Sequence, residues 1–238
     1  MMRAEPVARL LAVLLLGLGL SACAAQAHRQ IDALPRGATG APLIVLMPLD
    51  VELFELSAGG LMEPKADWTR AAREHMGESL RRVKAENNIR LVEYETLSIA
   101  PESVDALDQI QKLHGAVGQA VLLHQFLPAF ALPTKSGTFD WSLGPEVRAL
   151  RTVTNADYAL FVYVRDSYSS AGRTAIIITA ALLGVAVPGG AQVGFASLVD
   201  LESGAVVWFG RLARAAGDLR NPAAAEETAR TLLTAFPK

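Results

Sequence analysis

Tyr158-Ala159-Leu160-Phe161-Val162-Tyr163-Val164 is a seven-residue run without a charge, and five of its members are β-branched or aromatic. Such side chains suit a pleated, packed surface. A run apolar on both alternating faces suits a strand covered on both sides. It is the expected central strand of a sheet. Upstream, Leu43-Ile44-Val45-Leu46-Met47 is a second continuous apolar run, ended by Pro48, and predicts another doubly covered strand. Residues 51–65, with Gly59-Gly60 and Pro64, are expected as an irregular loop. A helix then opens at Asp67, with Trp68, Ala72, His75, Met76, Ser79, Leu80 and Val83 on one stripe, and stops at Asn87-Asn88. Ile89–Tyr94 is a further strand. Pro101 fits the first turn of a long helix that places Val104, Leu107, Ile110, His114, Val117 and Val121 at helical spacing before Pro128. A loop over 129–143 leads to a short helix from Pro145 to about Asn155.

Downstream of the central run, residues 192–201 and 205–212 form two strand patterns. Glu202-Ser203-Gly204 separates them, a three-residue hairpin loop with glycine for a left-handed position. Asn221-Pro222 starts a last helix whose Ala225, Ala229, Leu232, Leu233 and Phe236 face inward. Early β-α-β alternation followed by a hairpin and a helix predicts an α/β fold: a mixed sheet with helices packed on it, in one domain over residues 43–238.

The N-terminus reads differently. Arg3 and Arg9 precede an apolar stretch from Leu10 to Leu20, shorter than the roughly 20 residues a bilayer span needs and of a length suited to a secretion signal. It ends in Leu20-Ser21-Ala22-Cys23, which resembles the bacterial lipobox. The resemblance implies a signal peptide over 1–22, cleavage between Ala22 and Cys23, and acyl chains (palmitate among them) on Cys23. Small residues let a peptidase close on the backbone. One acyl chain binds a membrane only marginally, and two or three bind durably. Ala24, where retained lipoproteins carry aspartate, favours the outer membrane with the domain facing the periplasm. Residues 23–42, rich in alanine, glycine and proline, are expected as a flexible tether.

Without residues 1–22 the 22 basic and 24 acidic residues lose Arg3, Arg9 and Glu5, leaving 20 and 23. That balance provides no basic face for nucleic acid. Cys23 is the sole cysteine, so once acylated it leaves no thiol for a disulfide or thiolate metal site. His28, His75, His114 and His124 form no His-x-x-x-His pair, so neither a metal nor a cofactor is expected. Ser57–Gly60 and Ser169–Arg173 match neither a nucleophile elbow nor a phosphate loop. Lys135, Asp140 and Trp141 make one candidate ligand loop, a carboxylate beside an aromatic plate. The alternative is that Phe139 and Trp141 plug the loop into the core while Asp140 caps a turn.

The segment 175–188 is apolar all round and flanked by Arg173 and Gly189-Gly190. A core helix or a pair of buried strands is its first expectation. The sharper one is an interface using Ile177, Leu182, Leu183, Gly184 and Val187, with self-association favoured over another envelope protein or the membrane. Ala180 and Gly184 have the spacing that permits close helix approach.

Asn155-Ala156-Asp157-Tyr158 opening a hydrophobic strand, with the hairpin core Leu198-Val199-Asp200-Leu201-x-Ser203-Gly204-x-Val206-Val207-Trp208 and the lipobox, resembles proteobacterial lipoproteins. Their domain is like the N-terminal domain of TolB and the periplasmic part of the curli secretion lipoprotein. The resemblance implies a non-enzymatic part in envelope assembly, transport or secretion, and brings no catalytic residues. The expected function is thus a membrane-anchored structural or interaction module, with a small-ligand-binding or hydrolytic domain using the 135–141 and 169–173 loops as the alternative.

Overall fold

The structure, a computed structural model, describes residues 28–29, 31, 33–34, 42–87, 89–97, 100–135, 137–215 and 217–237. The expected secretion signal, cleavage site and Cys23 lie outside the described residues. In chain order the elements are β1 (His28–Arg29), β2 (Ile44–Leu46), β3 (Asp50–Leu56), β4 (Met62–Pro64), α1 (Ala66–Asn87), β5 (Leu91–Glu93), α2 (Pro101–Phe126) and α3 (Arg148–Thr154). They continue with β6 (Tyr158–Ser169), α4 (Ala171–Leu182), β7 (Gln192–Asp200), β8 (Val206–Arg214) and α5 (Pro222–Leu232).

The strands form one mixed sheet in the order β1-β8-β7-β6-β2-β5, with β3 continuing beside β6 and β4 pairing with β3. The expected α/β architecture is the one observed. β6 is the spine. It runs parallel to β2 and β3 on one edge and antiparallel to β7 on the other. Its period-2 alternation divides the core: Tyr158, Leu160, Val162 and Val164 pack with α1 and α5, whereas Ala159 and Phe161 pack with α2 and α3. Each fully buried large side chain in these layers contributes about 1.5–3 kcal/mol.

Ile44 faces Tyr158, and Asp50 faces Tyr163, so six steps on β2–β3 oppose five on β6. The extra residue is a bulge around Met47-Pro48-Leu49, which accommodates a proline that has no N–H for the ladder. Pro48 therefore interrupts the strand and does not end it. The loop expected over 51–65 is instead the hairpin β3–β4. Val51 and Leu53 are buried around an exposed Glu52, a short alternation that the glycines and Pro64 obscured. The expected tether also differs in part, since His28–Arg29 pair with β8 and Ile31 and Leu34 pack against the core.

Local chemistry explains the joints. Asn155 adopts the left-handed conformation (φ 54°) and closes α3, its N–H reaching Arg151 O at 2.8 Å. In the β7–β8 turn, Asp200 Oδ1 accepts from the N–H groups of Glu202 and Ser203, and Gly204 takes φ 79°. Gly118 lets α2 lie directly on an aromatic ring, because a Cβ there would come within 1.9 Å of Phe195.

Candidate functional site

The sequence offered two sites, and the fold separates the first into halves. Loop 135–141 lies at the β7–β8 turn: Val206 N donates to Trp141 O and Leu143 N to Gly204 O, both at 2.9 Å. Residues 169–173 lie at the far end of β6, where Ser170 N donates to Leu56 O at 3.0 Å. A 12-residue strand holds them about 36 Å apart, so they cannot enclose one ligand. Within the first loop Phe139 is buried. Lys135 Nζ lies 4.5 Å from the centre of the Trp141 ring and is paired with Asp140, and this pairing lowers the Asp140 carboxyl below its usual range. The buried Phe139 agrees with the plug reading of this loop, but Asp140 pairs with Lys135 and caps no turn, the Gly144 N–H going to Ser142 Oγ, and Trp141 Nε1 is buried without a hydrogen-bond partner.

Two polar clusters were not anticipated. Asp166, 1% exposed, accepts hydrogen bonds from Gln192 Nε2 (2.8 Å), from the Tyr168 hydroxyl and from Leu219 N (3.4 Å). Gln192 Oε1 in turn accepts from Thr228 Oγ1 at 3.0 Å. Burial raises the Asp166 carboxyl, and burial followed by the bond to Asp166 raises the Tyr168 phenol. The cluster ties β6, β7 and α5 together. Its only sequence signal was an aspartate shortly after the apolar run. In the other layer His114 Nε2 meets Ser197 Oγ at 2.5 Å, and its ring stacks on Phe161 with centroids 4.4 Å apart. Burial lowers its pKa to about 3, so the imidazole is neutral packing material.

A cleft of about 230 Å³ lies at the C-terminal ends of β2 and β5, lined by Met47, Arg73, Arg81 and Glu93, and another of about 280 Å³ borders Asp166 and Arg220. Both fall below the roughly 300–1,000 Å³ of ordinary ligand pockets. Among the described residues no group of three or more His, Cys, Asp or Glu is placed to hold a metal. No helix among them is long and apolar enough to cross a membrane.

The outstanding feature is α4. Segment 175–188 is not a core element: no residue of α4 is buried. Ser170 Oγ caps the helix by accepting from Arg173 N at 3.1 Å. Val185 N returns to Ala180 O at 2.9 Å and Gly184 N to Ala181 O at 3.0 Å, which makes a Schellman ending with Gly184 at φ 75°. Gly184 is therefore explained by turn conformation, not by close helix approach, and open space surrounds it. Ile177 and Val187 are half-buried against the body. Leu182 and Leu183 stand 83% and 76% exposed, with Ile178 at 58%. The β3–β4 tip adjoins the helix, a Cβ at Gly172 falling 3.2 Å from that of Ala58, and adds the exposed Leu61 and Met62. One pole of the domain is thus an apolar surface. Sequence reasoning named three of its exposed residues and missed Leu61, Met62, Ile176 and Ile178.

No family model and no curated protein matches the chain. Among solved structures it is similar to the PelC dodecamer from Paraburkholderia phytofirmans, at 13% identity over 90% of this chain and 99% of that one, with a TM-score of 0.37. A point variant of the same PelC gives 14% identity and a TM-score of 0.38 over the same shares. The C-terminal domain of LpoB from Salmonella enterica gives 17% identity over 75% of this chain and 87% of that one, with a TM-score of 0.26. A likeness at this level transfers no activity.

Proposed function

We propose that the chain is a lipoprotein of the bacterial cell envelope, held at the outer membrane through acylated Cys23, whose domain works by contact and not by catalysis. The observation that carries the reading is α4: a helix whose only charge is Arg173, left uncovered at one pole of a well-packed domain. Globular helices turn a polar face to water, and contiguous exposed apolar patches mark interaction sites. The lipobox residues Leu20–Cys23 supply the anchor. Two of the buried titratable groups, His114 and Asp166, are engaged in packing and in strand-to-helix hydrogen bonds, which favours a scaffold over an active site. The TolB-like pattern at 155–158 and 198–208 agrees with a part in envelope assembly, transport or secretion. Self-association, another envelope protein and the lipid surface are the candidate occupants of the α4 pole.

Two measurements test the proposal. Membrane fractionation with mass analysis of the N-terminal peptide is expected to find acyl chains on Cys23, and Cys23→Ser is expected to release the chain from the membrane fraction. Replacing Ile178 and Leu182 together by Asp is expected to leave secondary structure and the urea midpoint intact while abolishing the contact, read as loss of co-sedimenting partners or of lipid quenching at a fluorophore on Leu183→Cys. An unacylated N-terminus on protein from the cytosol, or a double variant with unchanged contacts, contradicts the reading.

A further inference from the structure

We infer that α4 is a lipid-contacting wedge, seated in the headgroup layer of the same membrane that receives the Cys23 acyl chains. This rests on the anchored reading above and names what covers the apolar pole.

The direction of β1 supplies the first argument. His28 lies opposite Phe209 and Arg29 opposite Trp208, antiparallel to β8. The described backbone therefore enters β1 from the side of Arg214, which is level with Gln192 and Asp166. That is the α4 end of the sheet. Five residue steps separate Cys23 from His28, a reach of at most about 18 Å. From the level of Phe161, which Phe209 shares through Ser197, to Ser169 at the foot of α4 is about 26 Å. β1 lies three strand spacings, about 14 Å, to the side of β6, so a reach of about 18 Å brings the acylated cysteine no nearer than about 12 Å to that foot, on the α4 side of the domain. A bilayer met from this side meets α4.

The helix surface supplies the second. At about 100° per residue, Arg173, Ile177 and Ala180 form the half-buried inner stripe, while Ala175, Ile176, Ile178, Thr179, Ala181 and Leu182 are exposed around the rest. None of these six is charged. A helix in water turns a polar face outward, and α4 has no such face to leave exposed. The boundary between headgroups and acyl chains surrounds it. Twelve residues measure about 18 Å, short of the roughly 30 Å hydrocarbon core. The helix therefore lies in the interface, about 5–10 Å deep, with Leu61 and Met62 beside it.

The test uses the full acylated chain in vesicles of phosphatidylethanolamine and phosphatidylglycerol. Leu182→Cys, with Leu183→Cys as a second site, is labelled with an environment-sensitive fluorophore, the native thiol being blocked by its acyl group. Ser203→Cys, at the opposite pole, is the reference. The expected result is a blue shift and quenching by spin-labelled lipid at 182 and 183, with neither at 203. Emission typical of water at 182 and 183, on protein that stays with the vesicles, overturns the inference while the anchored reading stands. So does a blue shift without lipid quenching but with energy transfer between copies, which assigns the surface to a second copy. Protein that leaves the vesicles and lacks acyl mass overturns both.

Discussion

Protonating His114 is expected to unfold the protein from within. The imidazole is 2% exposed, stacked on Phe161 and next to Phe195, with Nδ1 unpartnered. Burial lowers its pKa from 6.5 to about 3. The unfolded chain thus binds this proton more readily than the folded one, so stability is complete above about pH 6.5 and drains as pH falls towards 3. Between about pH 8 and pH 5 the loss is about 2 kcal/mol from this one group, at about 1.4 kcal/mol per pKa unit. With a urea slope of about 2 kcal/mol per molar, the midpoint falls by about 1 M. The assay is urea unfolding at both pH values for the wild type and for His114→Gln, which keeps a polar partner for Ser197. The Gln variant is less stable throughout but loses the His-linked part of the slope. Asp166, whose carboxyl is raised by burial, gains stability as pH falls; that opposing contribution is common to both proteins and cancels in the comparison. Equal midpoint shifts for the two proteins refute the assignment.

Gly118→Ala drives a methyl into the Phe195 ring and is expected to cost about 1–3 kcal/mol, seen as a lower thermal midpoint with unchanged helix content. Asp166→Leu strands Gln192 Nε2 and the Tyr168 hydroxyl, while Leu219 N–H keeps the Tyr168 oxygen at 2.8 Å; at about 1–3 kcal/mol for each buried group left unmade, a urea titration is expected to show a loss of about 2 kcal/mol or more. Asn155→Val forces a β-branched residue into the left-handed region and costs about 1–2 kcal/mol, whereas Asn155→Gly leaves the melting temperature nearly unchanged. Lys135→Met is expected to leave membrane association intact in a flotation assay, because Lys135 belongs to a packed loop and not to a binding site.

Where one periodicity ran uninterrupted, the sequence was readable. The doubly covered strands at 44–46 and 158–164, the long helices and the 200–205 turn were each written in several agreeing signals. Legibility failed where a local breaker had a nonlocal remedy. Pro48 looks like a terminus until β6 supplies a ladder that tolerates a bulge. Gly59-Gly60 spread a loop reading over the whole of 51–65 until β3 is seen paired along β6 from Tyr163 to Ser169, which leaves them only the hairpin turn. The segment 175–188 misled for another reason: hydrophobicity measures what a residue prefers, not whether the fold has room for it. Asp166 stayed hidden, and His114 was legible only as a member of an apolar helix stripe, because their partners, Leu219 and Ser197, lie 53 and 83 residues away.

The spine position of β6 sets an order of events for the newborn polypeptide. Leu43 N donates to the Asp157 carboxylate, 114 residues further on, and Ile44 pairs with Tyr158 beside it. Such a separation slows folding. Until that late strand emerges, the earlier ones have no central partner, and the oily stripe of the first long helix has nothing to lie on. Cells making this protein must keep its leading half from aggregating for the time it takes to synthesise the middle, and a product truncated before Tyr158 has no central strand to join its β2–β5 and β3–β4 pairs.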